Sequence, residues 1–284
     1  MNLFRIIVLI NILLFYCGRG FSQEEAGNRY VVRSTLWGLG VSNIFDTYLS
    51  PLEYKGPEMR FMHERMRMTG LMDGKVSTQS IIQFNISQTK NISKTARSYT
   101  GMMNWSYAMH YQHRASDNFK ILFGPMIDTN LGFIYNTRNS NNPAQAKAYL
   151  SLDASAMAIY KLKIKNYPII ARYQMNLPVM GMAFSPEYGQ SYYEIFSLGH
   201  HGRNVLFTSF HNAPSLRQIL TLDFPLGKSL IRMGYLCDIQ QFRLNNLKSH
   251  MYSHNFMIGF VRSFFLVSGK NRGKVNISLN PFLF

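Results

Sequence analysis

Between Tyr99 and His113 the odd positions read Met103, Trp105, Tyr107, Met109 and Tyr111, and the even ones Asn104, Ser106, Ala108, His110 and Gln112. Successive side chains of an extended chain point to opposite faces. Strict period-2 alternation therefore predicts a strand with one heavy apolar face and one small polar face. Two settings produce such a strand: an antiparallel sheet wetted on one face, and a barrel strand in a membrane.

The pattern recurs along the chain. Strands are predicted at Tyr30–Gly40, Glu58–Met68, Ser77–Gln88, Tyr99–His113, Phe119–Tyr135, Leu150–Leu162, Tyr167–Asn176, Asn204–His211, Leu216–Phe224, Ser229–Arg243, Ser253–Val267 and Lys274–Phe284. The phase of the second slips near Phe61 and Met62, where a bulge is expected. Several keep phase for about ten residues or more, near the ~9–11 that cross a bilayer and beyond the ~5–6 of soluble sheets. Connections are short before Ser77, at Arg114–Asn118 and at Lys163–Asn166, and long at Ser42–Gly56, Lys90–Ser98, Asn136–Lys147 and Leu177–Arg203. Periplasmic turns and outer loops alternate in this way. Beyond His211 the alternation fades, with Pro225–Lys228 short and Asn245–Tyr252 long. The expected fold class is all-β, an antiparallel transmembrane β-barrel of about 12 strands; a soluble secreted β-protein binding an apolar ligand is the rival.

Charge is consistent with this setting. Lys and Arg total 30 against 14 Asp and Glu, a net +16, a balance that in a soluble chain suggests nucleic acid. Here the bases are scattered singly or in pairs through aromatic-rich strands, and charged residues reach only 15% against 14% aromatics. That suits a barrel facing anionic headgroups. The expected partners are outer-membrane lipid and a small solute or protein, with no nucleic acid and no cofactor.

Arg5 followed by the apolar run Ile6–Tyr16 and small residues at Gly20 and Ser22 reads as an export signal cleaved before Gln23. Residues 1–22 are thus expected as a signal peptide and 23–284 as the barrel, located in the cell outer membrane. Removal of Cys17 would leave Cys237 as a lone thiol on an apolar strand face, where it reads as a small hydrophobe. The chain closes on Phe284, and an aromatic terminus resembles the last strand of outer-membrane barrels, although Pro281 removes a ladder donor.

The stretch G-L-G-V-S-N-I-F-D-T-Y-L-S-P-L-E-Y-K-G at Gly38–Gly56, running into Glu58-Met59-Arg60, resembles the N-terminal signature of a Bacteroidota exported family. That family is the domain of unknown function 3316. The resemblance implies an outer-membrane location and carries no established activity or catalytic residues.

The site candidates are few. Ser42–Gly56 places Asp46, Tyr48, Glu53, Tyr54 and Lys55 in a stretch too apolar for a freely solvated loop. It reads as a plug or gate within the barrel, a docking loop, or a loop packed on the rim for stability. Arg60, Glu64, Arg65 and Arg67 crowd one strand as candidate lumen charges. They would form either an anion-selective pore or a packed polar core, the latter favoured at this barrel size. Ser209 and His211, at i and i+2, are the pair a barrel acyl hydrolase acting on membrane lipids would need, with Asn212 or Asp223 orienting the imidazole. Polar residues at a strand end account for them as well. His200-His201 shows no repeating ligand spacing, and no metal site is assigned. The function expected is that of an outer-membrane barrel serving small-solute passage or acting as a surface or assembly component.

Overall fold

A computed structural model describes residues 29–266, apart from 141, 165–166, 201 and 227–228. The signal expected over 1–22 and the strand expected at Lys274–Phe284 lie outside the described residues. Eleven strands make one antiparallel sheet: β1 (Arg29–Asp46), β2 (Ser50–Met68), β3 (Val76–Asn91), β4 (Arg97–Arg114), β5 (Phe119–Asn136), β6 (Ala144–Ile164), β7 (Tyr167–Phe184), β8 (Val205–Ser209), β9 (Leu216–Leu226), β10 (Ser229–Leu244) and β11 (Leu247–Leu266). β11 returns to pair with β1 from Arg29↔Leu266 to Asp46↔Ser249, so the sheet closes on itself. The ring runs β1 to β7, then β9, β10 and β11. β9 pairs with Ile170–Asn176 of β7, and β8 stands outside the ring on Met180–Phe184. The ring thus holds ten strands rather than the twelve expected: Asn204–His211 forms only this short flap, β11 pairs directly with β1, and Lys274–Phe284 lies outside the described residues.

Connections at 47–49, 92–96, 137–143, 185–204 and 245–246 lie at one end, called upper here, and those at 69–75 and 115–118 at the other. Three expectations change. Ser42–Gly56 is not a loop: β1 and β2 continue through it and turn over 47–49. Its inward residues include Ile44, so the contrast between faces vanishes while the strand geometry persists. The slip near Phe61 and Met62 has the same cause. Trp37↔Phe61 and Leu36↔Met62 pair in unbroken register, and Met62 is an apolar residue facing inward. Asn245–Tyr252 is a two-residue hairpin, with Asn245 and Asn246 both at positive φ (48° and 61°), a conformation Asn tolerates and tight hairpins require.

The wall is inverted relative to a soluble sandwich. On the outside of β1, Arg33 is followed toward the upper end by Thr35, Trp37, Leu39, Val41 and Asn43, with Trp37 and Leu39 63% and 66% exposed. Ten residues along a strand tilted by about 40° rise ~25 Å, the height of a barrel's apolar band. The same spacing separates Arg65 from Lys55 on β2. Lys55, Lys90 and Arg97 stand opposite one another across β2, β3 and β4 at the upper margin.

Candidate functional site in the barrel interior and upper rim

Inward positions carry an unusual load of charge for so narrow a ring. In the lower half, Glu64 on β2 accepts Arg172 Nη1 at 2.7 Å, Arg232 Nη1 at 2.6 Å, Gln79 Nε2 at 2.6 Å and the Ser34 hydroxyl at 3.0 Å. Arg232 also forks onto Asp223 through Nε (2.6 Å) and Nη2 (2.7 Å). One carboxylate thereby ties β1, β2, β3, β7 and β10 together, and Arg232 adds β9.

Halfway up, a second chain of charges crosses the lumen. Asp128 accepts Asn104, Ser106 and Asn130 side chains and Arg217 at 3.0 Å. Arg217 approaches Asp238 at 3.4 Å, Asp238 receives Arg60 at 3.3 Å, and Arg60 donates to Glu58 at 2.9 and 3.0 Å. Glu58 ends the chain by accepting Ser253 (2.6 Å) and Asn255 (2.8 Å) from β11. Ions this far from water are tolerated only when each is paired and hydrogen-bonded. Asp153 departs from that rule: it accepts Ser151 at 2.6 Å and makes no ion pair among the described residues.

Apolar clusters seal both mouths. Tyr30, Val32, Met66, Leu122, Met157 and Ile159 fill the lower end; Ile44, Leu49, Met102, Ile134 and Met251 fill the upper. The spaces left beneath the upper mouth are about 30, 20 and 20 Å³, each on the scale of one water molecule. Among the described residues, the interior is filled by ion-paired layers and apolar clusters.

Arg60 and Glu64 are part of this interior, whereas Arg65 and Arg67, one residue out of phase, stand on the opposite face of β2 and are not lumen charges. Asp46 lies at the upper mouth, buried, where it receives Lys147 Nζ at 2.5 Å. Tyr54 is buried and donates to Ser50 Oγ at 3.1 Å. Glu53 and Lys55 form an exposed pair 3.6 Å apart on the outer wall. The five residues of the expected plug are therefore divided between mouth and wall.

Tyr48 reaches the long upper connection, donating to Gln190 O at 2.9 Å. There a short helix, α1 (Tyr192–Phe196), begins with a capping box. Ser191 Oγ accepts from Glu194 N, and the Glu194 carboxylate accepts from Ser191 N. Tyr192 folds down onto the barrel, its hydroxyl accepting Ala146 N at 2.6 Å and its ring meeting Tyr48 edge-on. Burial pushes the Tyr192 phenol up to about 12 against the effect of the Ala146 N–H, and burial with the Asp46 and Glu194 carboxylates raises Tyr48. Both stay neutral anchors. Tyr188, Tyr193, Phe196 and Leu198 remain between 52% and 76% exposed above this base. Sequence reasoning placed this segment in a loop; the S-Y-Y-E spacing at Ser191–Glu194 was the available helix signal.

Ser209 and His211 do meet, Oγ to Nδ1 at 2.5 Å, at the seam where β8 gives way to β9. The orienting groups are committed elsewhere. Asn212 accepts Ser209 N and donates to Phe207 O, and Asp223 is bound to Arg232 in the lumen. Among the described residues no carboxylate bonds His211, so the pair lacks the third member that aligns a general base. His201 lies outside the described residues.

The family model described as "Protein of unknown function (DUF3316)" matches residues 6–271. A search of curated proteins by sequence finds no match. Among solved structures, the transport unit of the autotransporter AIDA-I from Escherichia coli is similar over 90% of this chain and 96% of its own, at 7% identity and a TM-score of 0.50. The outer membrane protease OmpT from Escherichia coli matches 86% of this chain and 99% of its own, at 6% identity and a TM-score of 0.46. An outer membrane channel from Pseudomonas putida F1 matches 87% and 98%, at 9% identity and a TM-score of 0.36. At such identities the likeness is one of fold: a closed antiparallel barrel of the outer-membrane kind.

Proposed function

We propose, for a chain that belongs to the DUF3316 family, a role as a non-conducting surface component of the outer membrane that presents its 185–204 connection to a protein partner. A Bacteroidota source is part of this reading and rests on the likeness at Gly38–Arg60. The observation that carries it is the sealed lumen, with ion-paired layers between apolar clusters at both mouths. Passage of a solute would require breaking buried ion pairs with no water to replace them. What remains accessible is the upper rim. Its aromatic residues stand on a capped helix latched by Tyr48 and Tyr192, a rigid base of the sort that binding surfaces use. Long loops face the cell exterior in bacterial barrels, which puts this rim outside the cell.

Proteoliposomes test the proposal. Vesicles carrying the folded barrel should swell in isotonic arabinose no faster than protein-free vesicles. Rapid swelling that scales with protein content would replace the surface role by passage.

A further inference from the structure

Cations gather on the outer wall at the upper margin of the apolar band. Lys90 on β3 stands directly opposite Lys55 on β2 and Arg97 on β4, and all three are exposed. Lys94 is exposed in the turn that joins β3 to β4, and exposed Arg138 follows Thr137, whose N–H donates to Arg97 O at 3.0 Å. Like charges directly opposite one another across a sheet repel. Among the described residues, the outward faces of β2 to β5 carry one carboxylate, Glu53, which lies 3.6 Å from Lys55 and also accepts Asn43 Nδ2 at 3.2 Å. Lys90, Lys94, Arg97 and Arg138 make no ion pair among the described residues. Toward the band, the next outward residues are Gln88 on β3 and Tyr99 on β4, with Tyr135 of β5 opposite Tyr99. Met59 and Ile86 then open an apolar groove of ≈ 730 Å³, lined also by Trp37, Leu39 and Phe84. Each is four residues along its strand from Lys55 or Lys90, so the groove begins roughly 13 Å below the cations.

We infer that Lys90 and Arg97, with Lys55, Lys94 and Arg138 around them, bind the headgroup of an outer-leaflet lipid that carries two phosphates, with an acyl chain in the Met59–Ile86 groove. This rests on the reading above that the upper rim lies outside the cell, and it adds a lipid to the protein partner proposed there. Charge and spacing select the ligand. Neighbouring strands are about 4.8 Å apart, so Lys55 and Arg97 lie roughly 10 Å apart across β3. One phosphate serves one side of that span, whereas two phosphates on a single headgroup serve both. The Arg97 fork matches a pair of phosphate oxygens, and the lysine ammonium groups act beside it as point charges. Tyr99 follows Arg97 on the same face, where a ring ending in a hydroxyl suits the boundary between headgroup and acyl chain.

Native mass spectrometry of the whole barrel in detergent tests the site, with an acylated diglucosamine bisphosphate, its dephosphorylated form and phosphatidylglycerol offered in equal amounts. The wild type should retain the bisphosphate in preference to both others. Lys90→Gln with Arg97→Gln should weaken that retention roughly thirtyfold. Lys75→Gln with Arg114→Gln removes two exposed cations from the opposite end and should leave retention within about twofold. Equal weakening in this control pair would reduce the effect to general basicity and overturn the site. So would unchanged retention in the Lys90/Arg97 variant. Phosphatidylglycerol held as firmly as the bisphosphate would overturn the two-phosphate span, and the dephosphorylated form held as firmly would overturn any role for phosphate. Loss of the lipid to an equal concentration of inorganic pyrophosphate would assign the row to a free anion instead. Heat-modifiable migration reports folding separately. If the double variant does not fold, Lys94→Gln, in a turn outside the ladder, should weaken retention about fivefold, and undiminished retention would contradict the site. A folded barrel with no lipid preference sinks the site and spares the membrane reading, whereas a chain soluble without detergent sinks both. Protease added to intact cells should cut within 185–204; a rim protected there would overturn the outer-leaflet assignment whatever the lipid binding shows.

Discussion

The two faces of β4 obey different rules. Outward, Met103, Trp105, Tyr107 and Met109 lie between 37% and 43% exposed, with little that depends on which apolar residue stands where. Inward, Asn104 and Ser106 both bond the Asp128 carboxylate, and His110 meets Ser155 at 2.9 Å. The outer face satisfies a solvent, whereas the inner face satisfies particular partners. Substitutions should therefore be judged by polarity outside and by geometry inside.

The comparison breaks most visibly at Arg232. Arg232→Met should destabilise the barrel by about 3–5 kcal/mol, since Asp223 and Glu64 would each lose a buried cation. Denaturant unfolding followed by tryptophan emission measures this, and a loss below ~1 kcal/mol would mean the lower layer is not a cooperative unit. On the wall, Leu131 is 54% exposed on the outward face of β5, beside Phe133 and opposite Met103 of β4. Leu131→Arg should cost about 2–4 kcal/mol in a bilayer, while Leu131→Phe stays nearly neutral. Both changes behaving alike in vesicles would contradict a lipid-facing wall.

At the rim, Tyr192→Phe removes the acceptor for Ala146 N and should loosen the connection by ~1 kcal/mol. Limited proteolysis would then cut within 185–204 faster, with the barrel itself intact. The smallest effect is that of acid. Bonds from the backbone N–H and hydroxyl of Ser191 hold the Glu194 carboxyl below its usual value. The cap's contribution is therefore complete above about pH 5 and disappears as pH falls through that lowered value. Proteolysis of the same connection should accelerate only on the acid side, and a rise at neutral pH would rule the cap out as its cause.

Much of the wall could be read from the chain, because period 2 with a strong contrast between faces is a local property. β4 and β5 came through nearly whole. The reading failed where the contrast weakened: at Ile44 and Met62 the interior itself is apolar, and the strand lost its signature without losing its geometry. Parity alone separates Arg60 and Glu64 from Arg65 and Arg67. Who pairs with whom in the lumen is another matter. Glu64 and Arg232 are 168 residues apart and meet only because β11 closes on β1. No local pattern encodes that contact.

Single-channel recording in a planar bilayer tests the closed lumen most directly. Refolded barrel, shown by heat-modifiable migration to be native, should insert and give no conductance steps under applied voltage. Stable, reproducible steps from the wild-type chain would contradict a lumen sealed by its ion-paired layers and apolar mouths.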